Sequence, residues 1–218
     1  MRLLNLRWRG QTIPWFISLI DTLGESTYYR HMPRKLRIQY SGAMYYLNHY
    51  HLVLETPEPN LVPGMAWLQS TYTIRLNNRH QLHGHVLSER YKAQLVEGSG
   101  NGYLKTACDY VHLNPVRAGL LKGDERLLAY PWSSMSAYVA APEHRPSWIR
   151  VDRLLGEHGF QGDGPVSREG FEQRMEKRRV EENDPEIFEP LRGGWCLGSE
   201  SFRQEMMRPR PGESSLRN

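Results

Sequence analysis

One change of period does most to limit how this chain can fold. From Leu36 to Leu54 the residues are largely β-branched and aromatic and read as strand, with an interruption at "SGA" (41–43). The proline-rich "ETPEPN" (55–60) ends that run, because proline cannot donate to a strand ladder. The next stretch, "NLVPGMAWLQSTYTIRLNNRH", spaces Leu61, Met65, Leu68, Tyr72 and Leu76 by four, three, four and four, which is a helical stripe. Asn60 suits the cap of that helix, and Pro63 falls in the first turn, where proline is tolerated. Arg75 and Arg79 lie one turn apart near its end.

Further along, "QLHGHVLSERYKAQLVEG" reads as a loop and then a strand over Tyr91 to Val96. A second helix is expected from about Gly102 to Leu113, stopped by Pro115, with Tyr103, Leu104, Ala107, Cys108 and Val111 as its apolar positions. "YPWSSMSAYVA" (130–140) reads as a turn into a short helix. After about Pro146 the composition shifts. "SREGFEQRMEKRRVEE" (167–182) reads as a charged helix with Phe171, Met175 and Val180 as a thin apolar edge, and "GSESFRQEMM" (198–207) as a short helix capped by Ser199. The tail "RPRPGESSLRN" is expected to be disordered. Three units follow: an extension of uncertain order over 1–31, a central domain over 32–145, and a helical appendage with a tail over 146–218.

Charge sharpens that division. Lys and Arg minus Asp and Glu gives +2 for residues 1–31 (4 − 2), +5 for 32–150 (13 − 8) and −3 for 151–218 (11 − 14). A basic middle suits a polyanionic partner, although a solvated basic surface also produces so modest an excess. With 39% hydrophobic residues and a mean hydropathy of −0.64, the core should be modest. Two cysteines, Cys108 and Cys196, exclude a disulfide framework and a cysteine-rich zinc site, and fit a reducing cytoplasm. The longest apolar stretch, "IPWFISLI" (13–20), is too short to span a bilayer, and no small-residue cleavage site follows it. A cytoplasmic protein with no membrane partner is the expectation.

The chemistry lies in two places. His49 and His51, in "NHYHLVLE", are two apart in a strand and so face the same way, able to offer two nitrogens to one ion. Tyr110 and Asn114 are four apart and stack on one face of the second helix. If that face lies over the histidines, the Asn114 amide oxygen can complete the ion's shell and the phenol stands beside it. A phenol with an ordinary pKa near 10 is a weak nucleophile at neutral pH, and a cation that polarises a scissile phosphate lowers what is asked of it. The plainer readings are an exposed sheet surface for the histidines, a half-buried helix residue for Tyr110 and a helix stop for Asn114-Pro115. His83 and His85 form a rival pair in a loop.

Taken in order, "MPRKLRIQYSGAMYY", "NHYHLVLETPEPNL", "GHVLSERYKAQLVE" and "YVHLNPVRAGL…YPWSSMSAY" resemble the REP-associated tyrosine transposases, a branch of the single-tyrosine HUH transposases of insertion sequences. The resemblance covers about residues 32–140, and "GGWCLGSESFRQEM" is similar to the tail of some members. It implies an α+β fold, an antiparallel sheet packed with helices in a ferredoxin-like HUH nuclease core. It also implies that His49, His51 and Asn114 hold Mg²⁺ or Mn²⁺, and that Tyr110 is the nucleophile. The reaction would cut single-stranded DNA at hairpin or repeat ends, leaving a 5′-phosphotyrosine and a free 3′-hydroxyl. Arg75, Arg79, Arg90, Lys92 and Arg117 are the candidate nucleic-acid contacts, on a monomer or homodimer.

The chain departs from the family in three respects: the usual Met-Pro before Asn-His is missing, Tyr46 stands where the family has a histidine, and a segment is absent. "SGAMYY" runs straight into "LNHYH", where the family places a further strand, turn and helix. The fused run 43–54 would be long for one strand, and the core is expected to lack one strand and one helix. Three readings follow: an active transposase, a decayed or binding-only relative that grips hairpin DNA without cutting, and an unrelated zinc protein built on His80, His83 and His85.

Overall fold

A computed structural model of the chain describes residues 2–7, 39–45, 49–87, 91–98, 100–146, 149–181 and 194–208. Its centre is a five-stranded sheet built from β1 (Arg2–Arg7), β2 (Gln39–Tyr45), β3 (His49–Glu55), β4 (Lys92–Val96) and β5 (Cys196–Leu197). The strand order is β2-β3-β1-β4-β5. The first three pairings are antiparallel, and β4 with β5 is parallel.

Three expectations change here. The run 43–54 is not one long strand. It folds back on itself as a hairpin, with Tyr45 opposite Tyr50 and Ala43 opposite Leu52, so its length is shared between neighbours. "SGA" does not interrupt the first arm either; the ladder shifts register by one residue between Tyr40 and Gly42, a bulge that lets pairing continue. The expected loss of a strand is also corrected. Arg2–Arg7, assigned from sequence to an extension, pairs with β3 on one side and β4 on the other and so occupies the middle of the sheet.

β3 is flanked on both sides and covered on both faces, since Tyr50, His51, Leu52, Val53 and Leu54 are all buried. That explains why it reads as a nearly continuous apolar run rather than an alternating one. Its alternate side chains go opposite ways. Tyr50 points towards Tyr72 of α1 (Leu61–His80), and burial together with Tyr50 pushes the Tyr72 phenol up. All five stripe residues of α1 are buried, while Asn60 occupies the cap position without a side-chain capping bond. Val53 leaves the other face and meets α2 (Tyr103–Arg117) near Cys108, whose sulfur would lie 3.7 Å from a Cβ placed on Gly42.

α2 runs four residues further than expected, through Pro115 to Arg117. A proline inside a helix forfeits one ladder bond and crowds the carbonyl a turn earlier. Here the helix continues because the chain beyond it still pairs back: the Ala118 and Leu120 amides donate to the Asn114 and Pro115 carbonyls at 2.9 Å.

The C-terminal region is not an appendage. After α3 (Met135–Val139), the helices α4 (Asp152–Glu157) and α5 (Pro165–Glu181) place Leu154, Leu155, Phe171 and Met175 in one core with Val53, Leu104, Cys108 and Val111. Val180, expected on the apolar edge of α5, is exposed, so that edge ends at Met175. Arg153 of α4 grips Glu55 at the end of β3 at 2.9 Å. Ser199 caps α6 (Glu200–Met207) as expected, accepting the Phe202 amide at 3.2 Å. No helix among the described residues is long and apolar enough to cross a membrane. The tail from 209 onwards, expected to be disordered, lies outside the described residues.

Candidate functional site

His49 and His51 leave β3 on the face that carries Val53, the face under α2. Their rings meet edge to face at a centroid distance of 4.9 Å. Above them, α2 presents Tyr110, Asn114 and Arg117, spaced by four and three and therefore on one stripe. The Tyr110 ring stands edge to face on His51 at 5.5 Å. Asn114 places its Nδ2 atom 3.5 Å from His51 Nε2. The Arg117 guanidinium carbon sits 4.8 Å from the centre of the Tyr110 ring.

The continuation of α2 past Pro115 makes this cluster possible. Had the helix ended at Leu113, neither Asn114 nor Arg117 would hold a helical position, and the four-residue stacking with Tyr110 would fail.

Burial shapes the electrostatics. His51 is 5% exposed, and its imidazole is pushed down to about 3, first by desolvation, then by His49 and by Arg117. It is a neutral ring with one nitrogen lone pair, and its Nε2 faces Asn114. The Asn114 amide turns its nitrogen to His51; rotating the amide by half a turn presents the oxygen to the same space, and the two orientations are nearly equivalent in shape. Two imidazoles and an amide oxygen are suitable donors for a divalent cation of intermediate hardness. That donor set is more hospitable to Mn²⁺ than to Mg²⁺, which prefers oxygen throughout.

The nucleic-acid candidates scatter. Arg117 belongs to the cluster. Arg75 and Arg79 are exposed on α1, which lies against the Tyr50 side of the sheet, away from the histidines. Lys92 is exposed on β4, and Arg90 lies outside the described residues. The rival histidines His83 and His85 are exposed in the loop after α1, with His80 at the helix end, and His83 Nδ1 is 2.7 Å from the Leu82 carbonyl. Among the described residues, no group of three His, Cys, Asp or Glu side chains is placed to share an ion.

A second polar cluster escaped the sequence reading. Asp109, next to Tyr110, is fully buried and accepts from His158 Nε2 at 2.9 Å and from Arg178 of α5. His112, also fully buried, pairs with Ser134 Oγ at 2.8 Å, and burial pushes it down to about 4. The available signal was Asp109 itself, a charge among the apolar positions of α2.

No protein-family model matches the chain, and no curated protein matches it. A solved structure described as a REP-associated tyrosine transposase bound to a REP hairpin is similar in fold. The likeness has a TM-score of 0.52 at 13% identity and spans 67% of this chain and 83% of that one. At that identity it is a likeness of fold.

Proposed function

We propose that this chain is a transposase-like nuclease and strand transferase acting on single-stranded DNA at hairpin or repeat ends. The observation that carries the reading is the convergence of a neutral His51, its partner His49, Asn114 and the Tyr110 ring in one cluster between β3 and α2. The strand order supports it as well. Read from the other edge, the order β4-β1-β3-β2 with antiparallel neighbours, a β2–β3 hairpin and α1 between β3 and β4 favours the ferredoxin-like core that this reading calls for. The solved transposase with a similar fold was bound to a hairpin, which points to the same class of partner.

In this reading His49, His51 and the Asn114 oxygen hold Mg²⁺ or Mn²⁺. A cation there would polarise the scissile phosphate and offset its charge. The Tyr110 phenol oxygen attacks phosphorus in line, its proton leaving to solvent. The bond from phosphorus to the 3′ oxygen breaks, that oxygen takes up a proton, and the 5′-phosphate remains on the tyrosine. Attack by a new 3′-hydroxyl reverses the step, so transfer conserves the ester and needs no nucleotide. Arg117, over the Tyr110 ring, holds the phenol from the side and brings a positive charge to an incoming phosphate.

The test is a hairpin oligonucleotide with single-stranded flanks, incubated with Mn²⁺ and run under denaturing conditions. A covalent adduct that disappears in Tyr110→Phe, with hairpin affinity retained, is the expected result. Hairpin binding with no adduct in the native sequence would overturn cleavage in favour of a binding-only protein.

A further inference from the structure

The proposed reaction uses one stripe of α2, yet the most elaborate polar contacts of that helix lie on the neighbouring stripe. Asp109 is fully buried, and each of its carboxylate oxygens is already engaged: Oδ1 by His158 Nε2 at 2.9 Å, Oδ2 by the Arg178 guanidinium. Arg174, one turn before Arg178 on α5, donates to the His158 carbonyl and lays its guanidinium 4.8 Å from the centre of the Phe160 ring. Phe171, on the same side of α5, meets the His158 ring edge to face at 5.1 Å. Phe171, Arg174 and Arg178 thus form one stripe of a helix that looks merely charged in the sequence, and this stripe reaches across to α2.

Two physical points decide what such a cluster does. A buried ion pair is a poor source of stability, because desolvation offsets most of the attraction and apolar residues of the same size often do as well. It is, however, a strong discriminator between arrangements, since any orientation of α2 that breaks it leaves a bare carboxylate in the core. Nor is Asp109 placed to take the Tyr110 proton: it lies on the adjacent stripe, with both oxygens held by other groups. What it controls is the roll of the helix. A roll of about 10° moves a side-chain tip standing roughly 6 Å from the axis by about 1 Å, and a misplacement of that size can cost roughly a hundredfold in rate.

We infer that Asp109, His158 and Arg178 are positioning residues, a brace by which the C-terminal helices fix the rotation of α2 and so hold Tyr110 over the histidine pair. The inference rests on the proposed role of Tyr110. It assigns a task in that reaction to a segment, residues 158–178, which contributes no group to the site.

The experiment places 3-fluorotyrosine at position 110 and compares Asp109→Asn, Arg178→Met and Arg178→Lys. Each variant is first checked for a cooperative melt, and Arg178, partly exposed, provides the variant that survives if Asp109→Asn does not fold. In folded protein, Arg178→Met should shift or broaden the fluorine resonance, and Arg178→Lys, which keeps a cation for Asp109, should restore most of the native signal. In parallel, Arg178→Met should slow adduct formation at saturating hairpin by ten- to a hundredfold, with hairpin Kd changed less than twofold. An unmoved resonance in folded Arg178→Met overturns the brace, whether or not the protein cuts DNA. Equal losses in the Lys and Met variants overturn it too, because a purely steric role would not be rescued by charge. A shifted resonance in a protein that forms no adduct instead sinks the nuclease reading and leaves the brace as a determinant of helix orientation.

Discussion

At the scale of single residues, burial keeps two histidines neutral, His51 in the candidate site and His112 in the polar cluster beside it. His51 is held at about 3 and His112 at about 4, against an ordinary value of 6.5, in both cases chiefly through desolvation. The sign follows from proton counting. Between pH 6.5 and those lower values the unfolded chain binds protons that the folded chain refuses. The stability tied to these rings is therefore present in full above pH 6.5 and is lost as pH falls towards 4 and 3. Each ring steepens the fall by up to about 1.4 kcal/mol per pH unit. Urea midpoints measured from pH 7 down to 4 should drop, and His112→Gln, which has nothing to protonate, should flatten the curve; an unchanged slope would assign the acid lability to other groups. At this scale the two stripes of α2 differed in legibility. His49 and His51 could be read because a spacing of two has one meaning in a strand, and Tyr110 with Asn114 because a spacing of four has one meaning in a helix. Asp109 could not, because its partners are 49 and 69 residues away and no local pattern joins them.

At the scale of elements, α1 was legible from end to end, since its stripe is long enough for a period of 3.6 to be unmistakable. The β2–β3 hairpin was not. Between the two strands the sequence offers only Tyr46, Leu47 and Asn48, with no glycine or proline to signal a turn. Pro115 misled in the opposite direction, suggesting a stop that packing overrides, as eight of the nine residues from Ala107 to Pro115, all but Tyr110, are buried and leave that turn no room to unwind. The start of α2 rests on backbone geometry instead. Gly102 takes φ +80°, where an L side chain is strained, although a Cβ there would touch nothing within 4 Å. Its amide donates to Glu157 at 3.2 Å and its carbonyl accepts from the Thr106 hydroxyl at 2.9 Å, so the conformation cannot relax cheaply. Gly102→Ala should lower stability by about 1–2 kcal/mol in chemical denaturation while leaving hairpin affinity unchanged. A neutral result would mean that this turn adapts freely and that α2 is anchored elsewhere.

At the scale of the whole molecule, the described residues behave as one unit whose sheet and core draw on both ends of the chain. Phe171 illustrates the C-terminal contribution: it is fully buried, stacks on Tyr138 at 5.0 Å and touches both His112 and His158. Phe171→Ala should cost about 3–5 kcal/mol, a large share of the stability of an ordinary domain, and should lower one melting transition rather than a separate C-terminal one. The N-terminal contribution is a strand in the interior of the sheet. Sequence alone set Arg2–Arg7 aside because six residues with three leucines and no alternation carry no strand signature. Its place between β3 and β4 comes from pairing, which no local window contains. Met32 opens "MPRKLRIQY", so the chain can be produced from that residue as a direct comparison. Without β1, the facing edges of β3 and β4 lose their ladders, and β4 keeps only its short pairing with β5. An open gap in the middle of a sheet exposes unpaired amides and apolar surface together, the combination that drives aggregation. The chain beginning at Met32 should therefore be recovered aggregated, or without a cooperative melt, and should form no Tyr110 adduct. Cooperative melting near that of the full chain would show instead that β3 and β4 close on each other directly, and that the first residues are an extension after all.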